Sequence, residues 1–257
     1  MKISKVVLYE EPSVPSIRIN ELADFLEDEI GAVVEVRRSF FEHFGTKETT
    51  LRDLASCRIF NPYIPFVRHE PTTEEMDSEE LVNGSKIVLY DGFELQNVLR
   101  DSMPEMELSS DIFHLIFTTR LTCSYDEGDY RYHGRALICS NPSLISTTGI
   151  IEAPAKPRDY YLKIHEKIAQ GLNLDAIKTE FDGRFLQYDD PRLGIVARGY
   201  AMQAIFYYLT GTPFCESKEC LLYNAHWQED LLHAQVEIGR LCTDHQKVLD
   251  KLRSRDA

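Results

Sequence analysis

Cys215-Glu-Ser-Lys-Glu-Cys220, then 21 intervening residues, then Cys242-Thr-Asp-His245, is the stretch on which the reading of this chain turns. Two close pairs of soft ligands separated by a helix-length spacer can close a tetrahedral metal site. The four-residue gap in the first pair forms a loop whose two thiolates can face one ion. The i, i+3 spacing of Cys242 and His245 on a helix puts both on one face. Four protein ligands leave no position for water, so the spacing predicts one structural Zn2+ ion rather than a catalytic one. Such an ion would pin the loop after one helix to the last helix and add directly to folding stability. The competing reading is three cysteines and a histidine gathered by chance as core or surface residues. Softness only ranks metals, so iron or another thiophilic ion stays open. His226, beside Trp227, is read as a packing or helix-entry residue, not a fifth ligand.

Working outward, the hydrophobic pattern before the metal string is helical. Helices are expected over Tyr160–Gly171, Gly194–Leu209 and Gln228–Arg253, the last with apolar residues at helical spacing. Earlier in the chain the pattern alternates. Lys5–Tyr9, Ala32–Val36 and Lys86–Tyr90 read as strands; Ile17–Ile30, Thr49–Cys57 and Phe93–Leu99 read as helices. Pro71–Glu80 reads as an acidic, exposed loop. Ile112–Cys123 and Tyr130–Ser140 read as a hairpin, with Ser143–Ile151 extending that sheet as an edge. Strands with interleaved helices first and helices last imply an α+β fold: one domain over 1–257, with a sheet-and-helix part (1–156) and a helical, zinc-binding part (157–257).

The gross numbers set limits. Apolar residues make up 43% and charged residues 27% of 257, which describes a folded globular chain. With 28 basic against 42 acidic residues the net charge is −14, a field that repels phosphate backbones and argues against nucleic acid as a partner. No apolar run approaches the ~18 residues of a membrane span, and Val6-Val7-Leu8-Tyr9 followed by Glu10-Glu11-Pro12 is a first strand rather than a secretory signal. Cytoplasmic placement follows by default. Six cysteines are too few for a disulfide scaffold, and Cys57, Cys123 and Cys139, scattered among apolar neighbours, read as small core residues.

The segment Ala204-Ile-Phe-Tyr-Tyr208-Leu-Thr-Gly211-Thr-Pro-Phe-Cys215-Glu-Ser-Lys-Glu-Cys220-Leu-Leu222 resembles a known pattern. It is similar to the archaemetzincins, zinc proteases of the metzincin clan, whose signature runs His-Glu-x-x-His-x-x-Gly-x-x-x-Cys-x-x-x-x-Cys-x-Met, followed by a spacer and Cys-x-x-Cys. Gly211 matches the glycine, both cysteine pairs fall in register, Leu222 stands where methionine is expected, and His245 replaces the last cysteine. The resemblance implies a metzincin-like fold and a second, structural zinc on the cysteine set. Its specific motifs occupy 204–245, and its reach is about 86–250. The departures matter more. The positions of the three catalytic histidines and the glutamate hold Ala204, Tyr208, Phe214 and Ile205, and none of these can hold a zinc that activates water.

Other candidates are weaker. His165-Glu166-Lys-Ile-Ala169 lacks the second histidine, and His69-Glu70-Pro71 contains a proline that forbids the required helix. His114, His133, Arg120, Arg135 and Arg198 could line a cleft, although nothing in their spacing requires it. There is no glycine-rich phosphate loop and no serine elbow. The leading expectation is a degenerate archaemetzincin-like protein with its structural zinc kept and its peptidase site lost. It would bind a peptide or protein along a sheet edge, for which Leu137–Ile151 is the candidate. The alternatives are an active metal-dependent hydrolase using other ligands, and a zinc-stabilised interaction module unrelated to proteases. The aromatic residues Tyr200, Phe206, Tyr207, Tyr208 and Phe214 would either fill the core or make a binding surface.

Overall fold

A computed structural model of the chain describes residues 2–80, 87–173, 177 and 180–254. In chain order the strands are β1 (Lys5–Tyr9), β2 (Val33–Arg37), β3 (Leu89–Asp91), β4 (Ile112–Thr118), β5 (Leu121–Asp126), β6 (Arg131–Arg135), β7 (Leu137–Ile138) and β8 (Ser143–Ser146). The helices of the first part are α1 (Ile19–Ile30), α2 (Phe40–Phe44), α3 (Glu48–Ser56), α4 (Thr73–Glu80), α5 (Gly92–Asp101) and α6 (Thr147–Glu152). Those of the second are α7 (Arg158–Ala169), α8 (Leu193–Thr210), α9 (Gln228–Leu232) and α10 (Thr243–Ser254).

Five strands form the main sheet in the order β2-β1-β4-β8-β7, parallel except for β7, which runs antiparallel to β8 at one edge. A smaller sheet has the order β3-β5-β6. Along β1, Val6 and Leu8 enter one core while Val7 and Tyr9 enter another. Both faces are therefore covered, as a parallel sheet requires, and β1 reads as a continuous apolar run for that reason. The first core lies under α1 and α8; the second lies under α2, α3 and α5. Helix α8 is apolar nearly all round because most of it is buried in the first core. Helix α10 lies across the first core through Leu249, and Arg253 Nη2 donates to the carbonyl of Asp28 at the end of α1. Among the described residues no helix is long and apolar enough to cross a membrane.

Four local expectations are corrected. Residues 73–80 are helical, not a loop. Thr72 and Glu75 form a reciprocal capping box, Thr72 N–H to Glu75 Oε2 at 2.7 Å and Glu75 N–H to Thr72 Oγ1 at 3.3 Å. The run 112–123 is two strands in two different sheets. The carbonyls freed at the break are taken by hydroxyls at the start of α6: Thr147 to Thr118 O (3.3 Å), Thr148 to Thr119 O (2.6 Å) and Ser146 to Arg120 O (2.7 Å). Ser143–Ile151 is not an edge, since β8 pairs on both sides and then turns into α6. The third strand begins at Leu89, and Lys86 lies outside the described residues.

The expected helix over 228–253 is broken. After α9 the chain passes through a π-helical turn, His233–Ile238, which ends at Gly239 in the left-handed region (φ 58°). Helix α10 starts again at Thr243. The left-handed region favours glycine, which has no Cβ to clash. This break delivers the second ligand pair to the first.

Candidate metal centre and adjacent cleft

Helix α8 ends at Gly211, also left-handed (φ 79°), whose N–H reaches the carbonyl of Tyr207. The chain then returns in a loop that carries the first cysteine pair. Cys215 N–H donates to Leu222 O (3.0 Å), and Leu221 N–H donates to Arg240 O (2.8 Å) in the segment just before Cys242. These two bonds bring both halves of the quartet together.

The thiol and imidazole atoms of Cys215, Cys220, Cys242 and His245 all lie within 4.8 Å of one another. Cys242 Sγ is 3.1 Å, and Cys220 Sγ 3.8 Å, from His245 Nδ1. A tetrahedral zinc with bonds of about 2.3 Å to sulfur and 2.0–2.1 Å to nitrogen needs ligand separations of roughly 3.5–3.8 Å, and the quartet stands near that spacing. Backbone amides point at the sulfurs: Cys242 N–H at Cys220 Sγ (3.3 Å) and Ser217 N–H at Cys215 Sγ (3.4 Å). Such bonds favour a thiolate. Burial raises the Cys242 thiol, but the amides of His245 and Asp244 and the His245 side chain outweigh it and bring the pKa to about 6. Burial pushes the Cys220 thiol the other way, up to about 12. All six cysteines are free thiols. The donor set therefore fits a structural zinc, and four protein donors would leave no coordination position for substrate or water. His245 sits on the first residue-turns of α10 while Cys242 immediately precedes that helix, accepting Gln246 N–H at its carbonyl (2.9 Å). Of the expected i, i+3 pair on a helix, only His245 is helical, and Cys242 stands just before the helix starts. His226 lies outside this quartet.

Of the residues that the sequence resemblance sets against the protease's catalytic ones, Ala204 and Ile205 are fully buried in the first core. The Tyr208 hydroxyl donates to Ser110 O (2.6 Å), and its ring lies 5.0 Å from that of Phe113. Phe214 is 38% exposed. The five aromatics divide: Tyr200 and Phe206 are core, Tyr207 and Phe214 reach the surface, and Tyr208 is half-buried. Neither of the two protease-like dipeptides reaches a site. His165 and Glu166 lie exposed on α7, and His69 stands in an irregular segment against the Phe60 ring (4.6 Å).

A cleft of about 190 Å³ lies beside this end of α8. His133, Arg135 and Leu137 from β6 and β7 form one wall; Tyr200, Gln203 and Phe214 form the other. Gln203 donates through Nε2 to Tyr223 O (3.1 Å), while its buried Oε1 has no partner among the described residues. Of the five residues expected in a cleft, His133 and Arg135 are here. His114 is fully buried elsewhere, between Tyr9 Oη (3.2 Å from Nδ1) and Glu107 O (2.7 Å from Nε2). Arg120 lies in a different cavity, and Arg198 sits over the Phe25 ring. Two sheet edges meet at the cleft, β7 of the main sheet and β6 of the smaller one. Ser140, Asn141 and Ser143 are occupied in holding the turn before β8, with Ser143 Oγ donating to Ser140 O (2.6 Å) and Asn141 bonding Ile112 O and His114 N–H.

A second group, Asp126, Asp129 and His133, has donor atoms within the same 4.8 Å limit, at the β5–β6 turn. Its two carboxylates are exposed, and Asp129 is already paired with Arg131 and His133. Nothing in the sequence pattern marks Gln203 or Tyr223 as cleft residues, because the cleft is assembled from five separate segments.

The family model described as "Probable metallopeptidase family (DUF6775)" matches residues 2–252. No curated protein matches the chain. Among solved structures the chain is similar to archaemetzincin from Methanopyrus kandleri, at 12% identity over 98% of this chain and 97% of that one, with a TM-score of 0.48. It is also similar to a zinc-dependent peptidase from Methanocorpusculum labreanum, at 9% identity over 95% of this chain and 98% of that one, with a TM-score of 0.44.

Proposed function

Because the chain belongs to the Probable metallopeptidase family (DUF6775), we propose that it is a metallopeptidase-like protein that keeps one structural zinc, lacks a hydrolytic one, and binds a peptide or protein segment. One observation carries this reading: Cys215, Cys220, Cys242 and His245 converge, while Ala204 and Ile205, where a protease would hold zinc and its base, are buried and carry no ligand atom. Zinc on the quartet would supply folding energy and no chemistry. The binding surface would be the β7 edge and the cleft beneath it. There an extended segment can pair with backbone while a side chain enters between Arg135, Leu137 and Phe214. The partner would be a peptide or protein and not nucleic acid, given the charge of −14. The free thiols fit a reducing compartment such as the cytoplasm.

A second reading, an active metal-dependent hydrolase, is favoured by one fact: His133 both lines the cleft and belongs to the Asp126–Asp129–His133 group. Elemental analysis of protein purified without added metal, paired with a cleavage assay on a peptide mixture, separates the two. One zinc per chain and no chelator-sensitive cleavage supports the pseudoenzyme. Two metals, with cleavage lost on His133→Ala, would replace it with the hydrolase.

A further inference from the structure

A larger cavity, of about 490 Å³, opens above the carboxyl ends of β1 and β4 and shares no lining residue with the cleft. Strand β1 connects through α1 to β2 on one side and is flanked by β4 on the other, so the chain reverses its direction of travel across the sheet here. Such points leave a crevice in α/β sheets, and the volume falls within the roughly 300–1,000 Å³ of small-molecule sites. One part of its wall is apolar, with Phe40, Leu51, Leu54, Leu95 and Leu99.

One end is charged. Glu79, fully buried, is a single carboxylate held between two guanidinium groups: Arg58 Nε at 2.8 Å from Oε1 and Arg120 Nε at 2.9 Å from Oε2. The Tyr90 hydroxyl adds a third donor at 2.8 Å. The triad thus carries a net positive charge in a buried setting. Asp91, the other buried acid, is engaged elsewhere, capping α5 and accepting from the Tyr132 hydroxyl. Arg120 is fixed with its guanidinium carbon 5.3 Å from the Phe41 ring centre and 5.8 Å from that of Tyr90. Its Nη1 makes no hydrogen bond among the described residues. Thr118, on the same wall, accepts Arg120 N–H at Oγ1 (3.2 Å), and its own hydroxyl proton remains able to donate. Glu79 pairs with both arginines, so the triad keeps one positive charge in excess, and an added carboxylate beside Arg120 would offset it. Two further acids on the wall, the half-buried Glu11 and exposed Glu42, disfavour ligands with several negative charges.

We propose that this cavity binds a small amphipathic monocarboxylate, its chain among the leucines and its carboxylate on Arg120 and Thr118. The test is calorimetric titration of the full, zinc-loaded chain with decanoate, decanol and decylamine. Decanoate is expected to bind saturably, one per chain, at least tenfold tighter than the alcohol or the amine. Leu51→Trp, which fills the cavity without touching the ion triad, should abolish binding; Arg120→Lys should weaken it about tenfold. No decanoate binding, equal binding of the alcohol or amine, or binding unchanged in Leu51→Trp would each overturn the proposal.

Discussion

Cys242 Sγ and His245 Nδ1 stand 3.1 Å apart, one just before and one just inside the final helix. The interruption at Gly239 turns this pair towards Cys215 and Cys220.

Replacing either residue should therefore remove the metal and much of the stability it confers. Cys242→Ser and His245→Ala are each expected to lower bound zinc from one per chain to well below one. A loss of about 3 kcal/mol would lower Tm by roughly 6–12 °C in a chain near this size. Calorimetry with and without chelator checks this: the chelator should shift the parent protein and leave both variants unmoved.

Glu79→Gln should cost about 3–5 kcal/mol, because it leaves Arg58 and Arg120 buried around a neutral amide. Denaturant unfolding measures the loss. A loss below about 1 kcal/mol would mean that the two arginines are not held by this carboxylate.

The acid limb of stability should depend on His114. Burial lowers its pKa from the ordinary 6.5, with the bond to the Glu107 carbonyl opposing. That carbonyl can only accept, so Nε2 carries the proton and Nδ1 takes the Tyr9 hydroxyl. The unfolded chain binds a proton here more readily than the folded one. The stabilising contribution is therefore complete above about pH 6.5 and is lost as pH falls through the lower, folded value. Thermal melts from pH 7.5 to 5 should show this decline, and His114→Asn should flatten it.

Gln228→Ala should leave the buried Leu186 N–H and the carbonyls of Ile150 and Ile151 without their partner. Each unsatisfied group costs about 1–3 kcal/mol. Hydrogen exchange should quicken at Leu186 well before the β1 amides are affected.

The sequence makes the metal quartet legible because its spacing is a local chemical constraint. It makes α1 legible because its apolar residues recur at helical spacing and bury one face, and β1 and α8 legible because each is a nearly continuous apolar run of strand or helix length. The acidic run before residue 80 conceals α4: composition outweighs its one helical signal, the Thr72–Glu75 box. The division of 112–123 into two sheets is not legible, because Thr119 and Arg120 do not break a strand by themselves. The break is stabilised by hydroxyls some thirty positions further on. The Glu79–Arg120 pairing spans 41 residues, and no local pattern marks it. Such contacts depend on the assembled tertiary structure.

The position of α10 against α1 bears on biogenesis. The metal ligands end at His245, and the helix that follows returns to the carbonyl of Asp28. The last strand of the main sheet ends at Ser146, so that sheet can assemble on a translating ribosome before these residues are made, and any metal the quartet takes would be taken late. A chain stalled before position 242 would lack two of the four candidate ligands and the tie from Arg253 back to the end of α1.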